Sequence, residues 1–149
     1  MNHLLENKRI TFDYELLENF EAGIELLGHE VKALRAGLGS LIGAYILIRG
    51  GEAFLIGATI PPYQPNNTPA DYDQTRPRRL LLTKKEIRYL AGRGEQKGLT
   101  IAPISLYNKG RKIKVAIAIV RGRKKYDKRE KIKKRESERE IKRTLKNIR

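Results

Sequence analysis

The chain has 149 residues, with 32 Lys and Arg against 17 Asp and Glu, a formal net charge of +15 and no Cys. The length suits one domain of ordinary size, and the absence of Cys excludes disulfides, thiolate metal sites and a Cys nucleophile. No apolar run reaches the ~18 residues that a membrane helix needs and the N-terminus has no apolar signal region, so a soluble, cytoplasmic protein without a membrane partner is expected.

Ile10 to Leu27 contains β-prone stretches and no Pro. It reads as one extended segment, with Gly23 as its bend or bulge. Gly28 to Gly37 reads as a short helix. Leu27, Val31 and Leu34 fall on one face, and Gly37 suits the position just past its end. Ala44–Ile48 and Ala53–Ala58 are apolar runs around Arg49-Gly50-Gly51-Glu52, a hairpin signal. Ile60 to Arg79 holds five prolines and reads as a long loop ending in a basic cluster, Arg76, Arg78 and Arg79. Loops of that length are functional or disordered. Thr83-Lys84-Lys85-Glu86 matches a capping box, and Ile87, Leu90 and Ala91 form the stripe of the helix that follows, with Gly92 and Gly94 expected to stop it. Thr100–Tyr107 and Lys112–Val120 read as a second hairpin around Asn108-Lys109-Gly110-Arg111. In its second strand, Ile113, Val115, Ile117 and Ile119 alternate with Lys112, Lys114, Ala116 and Ala118, the period of a strand with one buried face. Ala at two outer positions suggests partial cover there.

These elements predict a mainly β fold with short helices. A small antiparallel Greek-key barrel of the oligonucleotide-binding (OB) type places its helix between the third and fourth strands, as here. Periodicity alone leaves an open α+β sandwich as the alternative. Residues 1–120 form the expected body, and residues 121–149 a basic C-terminal tail. The tail holds 15 Lys and Arg against 5 Asp and Glu, two thirds of the excess charge in a fifth of the length. Asp127 and Glu130 make a capping-box-like start, and Ile141, Leu145 and Ile148 a thin stripe. Self-repulsion and the absence of a packed face oppose a free helix, so a tail disordered when free and helical when bound is expected.

The obvious polyanionic partner is nucleic acid. A membrane-binding helix needs a broad apolar face, and after Tyr126 the tail offers only Ile132, Ile141, Leu145 and Ile148. No catalytic constellation, cofactor motif or metal quartet is present in the sequence, whose only histidines are His3 and His29; no enzyme, cofactor or metal is expected. Arg76, Arg78, Arg79, Lys84 and Lys85 flank a helix start whose N–H groups suit a phosphate, although a solvated loop explains the charge about as well. Lys8, Arg9, Lys32 and Arg35 are weaker patches. Tyr126, amid Arg123, Lys124, Lys125 and Lys128 with no core around it, suits stacking on a base. Glu21 and Glu30 either accept hydrogen bonds from RNA or pair with Lys and Arg, and pairing is the default.

Six ordered blocks carry a resemblance: Asn7-Lys8-Arg9, Phe20–Gly37, Ala44–Tyr63, Arg76–Ile87, Gly98–Tyr107 and Gly122–Glu130. Together they resemble the bacterial SsrA-binding protein (small protein B) family, the partner of transfer-messenger RNA (tmRNA). The resemblance implies an OB-type barrel with a flexible tail. It also implies binding to the tRNA-like domain of tmRNA and delivery of that RNA to stalled ribosomes for trans-translation, with the GTP-bound elongation factor that carries charged tRNA as a further partner. Asn7, Glu21 and Leu81 match positions linked in the family to RNA binding, and Lys124 and Lys125 match basic positions near the barrel. Asp127, Lys128 and Arg129 match the tail motif needed for tagging. Tyr126 matches a position expected to stack on small-subunit rRNA at the decoding centre, and the resemblance implies that the tail occupies the empty mRNA path. The chain departs from the family pattern DPxRxRKLLL in lacking Pro within Asp73-Gln74-Thr75-Arg76, and carries Arg79 for Lys and Ala33 for Ser. A general single-stranded RNA-binding OB protein would call for exposed aromatic pairs such as FxF, which the body lacks. A structural ribosomal protein would share the tail but not the body motifs.

Overall fold

The computed structural model describes residues 2–122. One antiparallel sheet organises them. Its strands are β1 (Asn2–Glu6), β2 (Tyr14–Ile24), β3 (Tyr45–Arg49), β4 (Glu52–Ile56), β5 (Arg78–Leu81), β6 (Leu99–Lys109) and β7 (Lys112–Gly122), in the order β1-β6-β7-β2-β5-β4-β3. Three α-helices accompany it, α1 (Lys8–Asp13), α2 (Gly28–Arg35) and α3 (Lys84–Gly94), with a short 3-10 helix at Pro65–Asn67 in the Pro-rich loop. The sheet curls so that β3, at its end, packs near β6. α3 lies along this seam, with Leu90 fully buried.

The expected alternation in β7 holds. Ile113, Val115, Ile117 and Ile119 are buried in the main core with Leu34, Leu55, Leu80 and Leu106. The outer side is also covered near the end of the strand, where Ala118 and Val120 pack with Ala102 and with Ile10 of α1. Bulged registers interrupt the pairing at Leu16/Glu18 and Pro103/Ser105; the second coincides with a Pro, which has no N–H for the ladder.

Both hairpins form. Gly50 and Gly51 take positive φ (60° and 74°), as a tight two-residue turn requires. α2 ends as expected, with Gly37 at φ 79° and the Gly37 and Leu38 N–H groups donating to Leu34 and Ala33 carbonyls.

Several expectations are corrected. Residues 10–13 belong to α1 rather than to a strand, because Ile10 docks on the apolar outer side of β6 and β7. The irregularity of β2 lies at Leu16/Glu18, not at Gly23. Gly23 instead pairs with both Lys114 and Leu81, where β2 passes between β7 and β5, and a Cβ there would sit 3.1 Å from the Leu81 Cβ. β1 and β5 are additional strands, and the long loop ends where β5 begins. α3 runs through Gly92 to Gly94, its packing outweighing the ~1 kcal/mol cost of each Gly. The buried side of α2 is Glu30, Ala33 and Leu34, while Leu27 is exposed.

Candidate nucleic-acid interface

The basic cluster at residues 76–79 divides between interior and surface. Arg78 and Glu30 are fully buried and meet through Nη2 and Oε2 at 2.7 Å. Arg78 also donates to the carbonyls of Ala58 and Gln74 and to the Tyr72 hydroxyl. Arg76, the Tyr72 hydroxyl and the Leu27 N–H all donate to Glu30 as well. Burial pushes the Glu30 carboxyl up, but these donors outweigh it and hold its pKa at about 2. Burial, reinforced by Glu30, raises Tyr72 to about 12. The His29 ring meets the Tyr72 ring edge-on at 4.5 Å. This network clamps the Pro-rich loop to α2.

Glu30 thus follows the default reading and pairs with arginines, while the expected surface position of Arg78 is corrected: neither residue has exposed area, and each is satisfied inside. Asn7 is corrected in the same way. It is 4% exposed, and its Nδ2 donates to the carbonyls of Leu41 and Pro103 at 3.2 Å each. Arg76 is half-buried against Glu30. Arg79 remains exposed, beside the carboxylates of Glu25 (3.2 Å) and Glu52 (3.5 Å).

A second arrangement lies on the outer side of the sheet. Glu21 accepts hydrogen bonds from the Tyr107 hydroxyl and, at 2.9 Å, from Lys109 Nζ. Tyr107 first, then Lys109, hold its pKa below the usual carboxylate range, so Glu21 is ionised at neutral pH. Burial, reinforced by Glu21, raises Tyr107 to about 12. Lys114 stands opposite both Tyr107 and Gly23. Beside them is a depression of about 300 Å3 lined by Gly23, Leu81, Arg35, Arg111, Lys112 and Lys114. The Arg35 guanidinium donates to the Arg111 carbonyl at 2.9 Å, tying α2 to the β6–β7 turn. Lys32, also exposed, precedes Arg35 by one helical turn. Leu81 is 50% exposed and also borders the cleft before α3, where Lys84 and Lys85 are exposed.

The structure thus brings together Glu21, Arg35, Leu81 and, at the margin, Lys32, Lys84 and Lys85. An apolar shelf ringed by cations, next to a fixed carboxylate, suits a sugar–phosphate backbone with a base or ribose against Leu81. Sequence reasoning missed Lys109, Arg111, Lys112 and Lys114 as members. The signal for Lys112 and Lys114 was the period of two in β7, which puts them on its outer side. The α3 start is less open than expected: Thr83 Oγ1 accepts from the Glu86 N–H, and Glu86 accepts from the Thr83 N–H. Lys8 and Arg9 do not join the patch. They sit on α1 at the start of β2, and Gly23 lies nine residues along that strand, about 30 Å at the rise of a strand. Lys124, Lys125, Tyr126, Asp127, Lys128 and Arg129, with the expected tail helix, lie outside the described residues.

Among the described residues, no helix is long and apolar enough to cross a membrane, and no cluster of His, Asp and Glu could hold a metal ion.

The family model described as SmpB protein matches residues 4–147. An SsrA-binding protein of Microcystis aeruginosa is 46% identical over 96% of this chain and 93% of its own length. Those of Thermosynechococcus vestitus (46%, covering 96% and 94%) and a Roseiflexus species (45%, covering 95% and 89%) are similar to nearly the same extent. A chain from a solved structure whose subject is tmRNA-SmpB and the center of the bacterial ribosome superposes with a TM-score of 0.69 at 45% identity, covering 81% of this chain and 85% of that one.

Proposed function

The chain belongs to the SmpB protein family, and from that premise we propose that it is an RNA-binding protein that binds SsrA RNA, the tmRNA, and acts with it on the ribosome in trans-translation. The observation that carries this reading is near-full-length similarity to SsrA-binding proteins and to a tmRNA-SmpB chain.

Within that function, the patch around Leu81 holds the tRNA-like domain. Lys109, Arg111, Lys112 and Lys114 belong to it alongside Glu21, Lys32, Arg35, Arg79, Lys84 and Lys85. Glu30, Arg76 and Arg78 serve it indirectly by fixing the loop and strand that present Leu81, whereas Asn7 ties the start of α1 to Leu41 and Pro103 at the other end of the sheet. The body, residues 1–120, binds tmRNA, and the tail, 121–149, serves the ribosome. There Lys124 and Lys125 extend the basic surface, and Tyr126, Asp127, Lys128 and Arg129 engage small-subunit rRNA. Lys8 and Arg9 lie at the tail's end of the body and fit the ribosomal side better than the tmRNA patch. The protein carries out no catalytic step of its own. It works in the cytoplasm, with the GTP-bound elongation factor that delivers charged tRNA as a further partner.

The test is recovery of the tagged protein from a bacterial lysate with sequencing of the bound RNA. One tRNA-like species should be enriched far above all others. Enrichment of rRNA without it would sink the reading.

A further inference from the structure

Tyr107 is the buried member of the arrangement around Glu21. It is 6% exposed, and its hydroxyl donates to a carboxylate whose side chain is 41% exposed. Tyr107 stands on β6 and Glu21 on β2, with β7 between them. Strands two apart lie about 10 Å from each other, so the tyrosine has to cross β7 to make this bond. The β7 residue paired with Glu21 is Ala116, which is also paired with Ser105. Small side chains at both positions leave the crossing open. Two residues further along, Tyr107, Lys114 and Gly23 lie in one row across the sheet, and Gly23 pairs with Leu81. The bond therefore joins Glu21 to the row that carries the Leu81 shelf.

The two donors to Glu21 differ in permanence. Lys109 Nζ, at 2.9 Å, belongs to a side chain that is 63% exposed. Solvent screens such a pair, so Lys109 is free to turn to an approaching phosphate. The Tyr107 hydroxyl is anchored by a buried ring. Burial, reinforced by Glu21, raises its pKa to about 12, so it keeps its proton at neutral pH. A carboxylate has about four acceptor sites, and these two bonds leave sites for a donor arriving from solvent.

Resting on the reading that this patch holds tmRNA, we propose that Tyr107 is a positioning residue for RNA binding: its hydroxyl fixes the Glu21 carboxylate so that its free lone pairs meet a ribose hydroxyl or a base N–H. A carboxylate repels phosphate and accepts from those groups, so it sets the register of a backbone that the lysines hold. Tyr107 itself touches no RNA. Its hydrogen bond is the largest of the influences that favour the ionised form of Glu21. Without the hydroxyl the carboxyl is less firmly aimed and protonates at a higher pH. The other charges that act on Glu21 are Lys109 of β6 and Lys114 of β7. Arg79 of β5 is engaged by Glu25 and Glu52, and Arg93 of α3 by Glu18. α1 meets β2 at its far end. His3 of β1 meets the Tyr107 ring edge-on at 6.3 Å, so His3→Gln is the parent chain for every measurement.

The first measurement uses the full chain free of RNA, carbon-labelled at the Glu side chains. The carboxyl shift of Glu21 is followed by nuclear magnetic resonance against pH. Tyr107→Phe deletes one hydroxyl and keeps the ring. Its Glu21 midpoint should move to higher pH, and by more than in Lys109→Gln. An unmoved midpoint, or a larger move in Lys109→Gln, would overturn the proposal. The second measurement is affinity for a transcript of the tRNA-like domain, titrated against pH. The parent chain should lose affinity on the acid side as Glu21 protonates, and in Tyr107→Phe that loss should begin at a higher pH. Adding Tyr107→Phe to Glu21→Gln should change nothing further. A weakening by Tyr107→Phe that is the same at every pH, and the same in the Glu21→Gln background, marks a merely structural role and overturns the proposal. Failure of the parent chain to bind the transcript would sink the proposed function and this inference with it. Binding with an unmoved acid loss in Tyr107→Phe would sink this inference alone.

Discussion

Glu30 shows how far one residue's role can depend on distant partners. In the sequence it stands on a short helix, with Leu27, Val31 and Leu34 as the legible apolar stripe. In the fold it is fully buried, and the two arginines that neutralise it come from 46 and 48 residues away. No local pattern announces that pairing. Replacing Glu30 with Gln leaves the buried Arg78 guanidinium without its counter-charge, and a buried pair broken in this way costs ~3–5 kcal/mol. The urea midpoint of Glu30→Gln should fall accordingly, and an unchanged midpoint would contradict the clamp. The same residue sets an acid limit. Its folded pKa of about 2 lies below the ordinary 4.5 of a free Glu, so its stabilisation is complete above ~4.5 and is lost as the pH falls from there toward 2, up to about 3 kcal/mol. Tyr72 has the opposite sign: raised from 10.0 to about 12, its share is present below pH 10 and lost as the pH rises through 12. A stability plateau between about pH 5 and 10 is expected in melts across pH, with the acid loss reduced in Glu30→Gln.

At the scale of elements, those specified by neighbours within four residues were legible. The Gly50-Gly51 hairpin, the Gly37 helix end and the Thr83–Glu86 capping box all depend on local φ preferences or i, i+3 hydrogen bonds. β1, α1 and β5 were not legible. They are 5, 6 and 4 residues long, too short for periodicity, and each exists because it pairs with or packs on something distant. α3 lies between these cases: its start is local, but its end overrides Gly92 because Leu90, Tyr89 and Arg93 engage the sheet, the last two at Glu18. Thr83→Ala should remove the cap that satisfies the Glu86 N–H and cost ~1 kcal/mol. Hydrogen exchange should quicken at residues 84–86 while the Leu90 amide stays protected; uniform quickening along α3 would mean that the cap controls the whole helix.

At the scale of the molecule, the outer patch draws Glu21 from β2, Arg35 from α2, Leu81 from β5 and Lys114 from β7, all before residue 122. Removal of Tyr126 onward should therefore leave tmRNA affinity nearly intact in a gel-shift titration while tagging of stalled peptides stops; a large affinity loss would show that the two roles are not divided this way. The sequence by itself determined the β-rich class, the two hairpins, the charge concentrated in the last fifth of the chain and the ordered blocks of the SmpB family, because each is written in composition or in spacings of a few residues. Only the tertiary structure decided which of the clustered arginines are inside, why Asn7 and Glu30 serve the scaffold, and which lysines of β7 complete the surface. Burial and charge pairing depend on residues brought together from far along the chain, and the free energy of an ion pair changes with whether water can reach it.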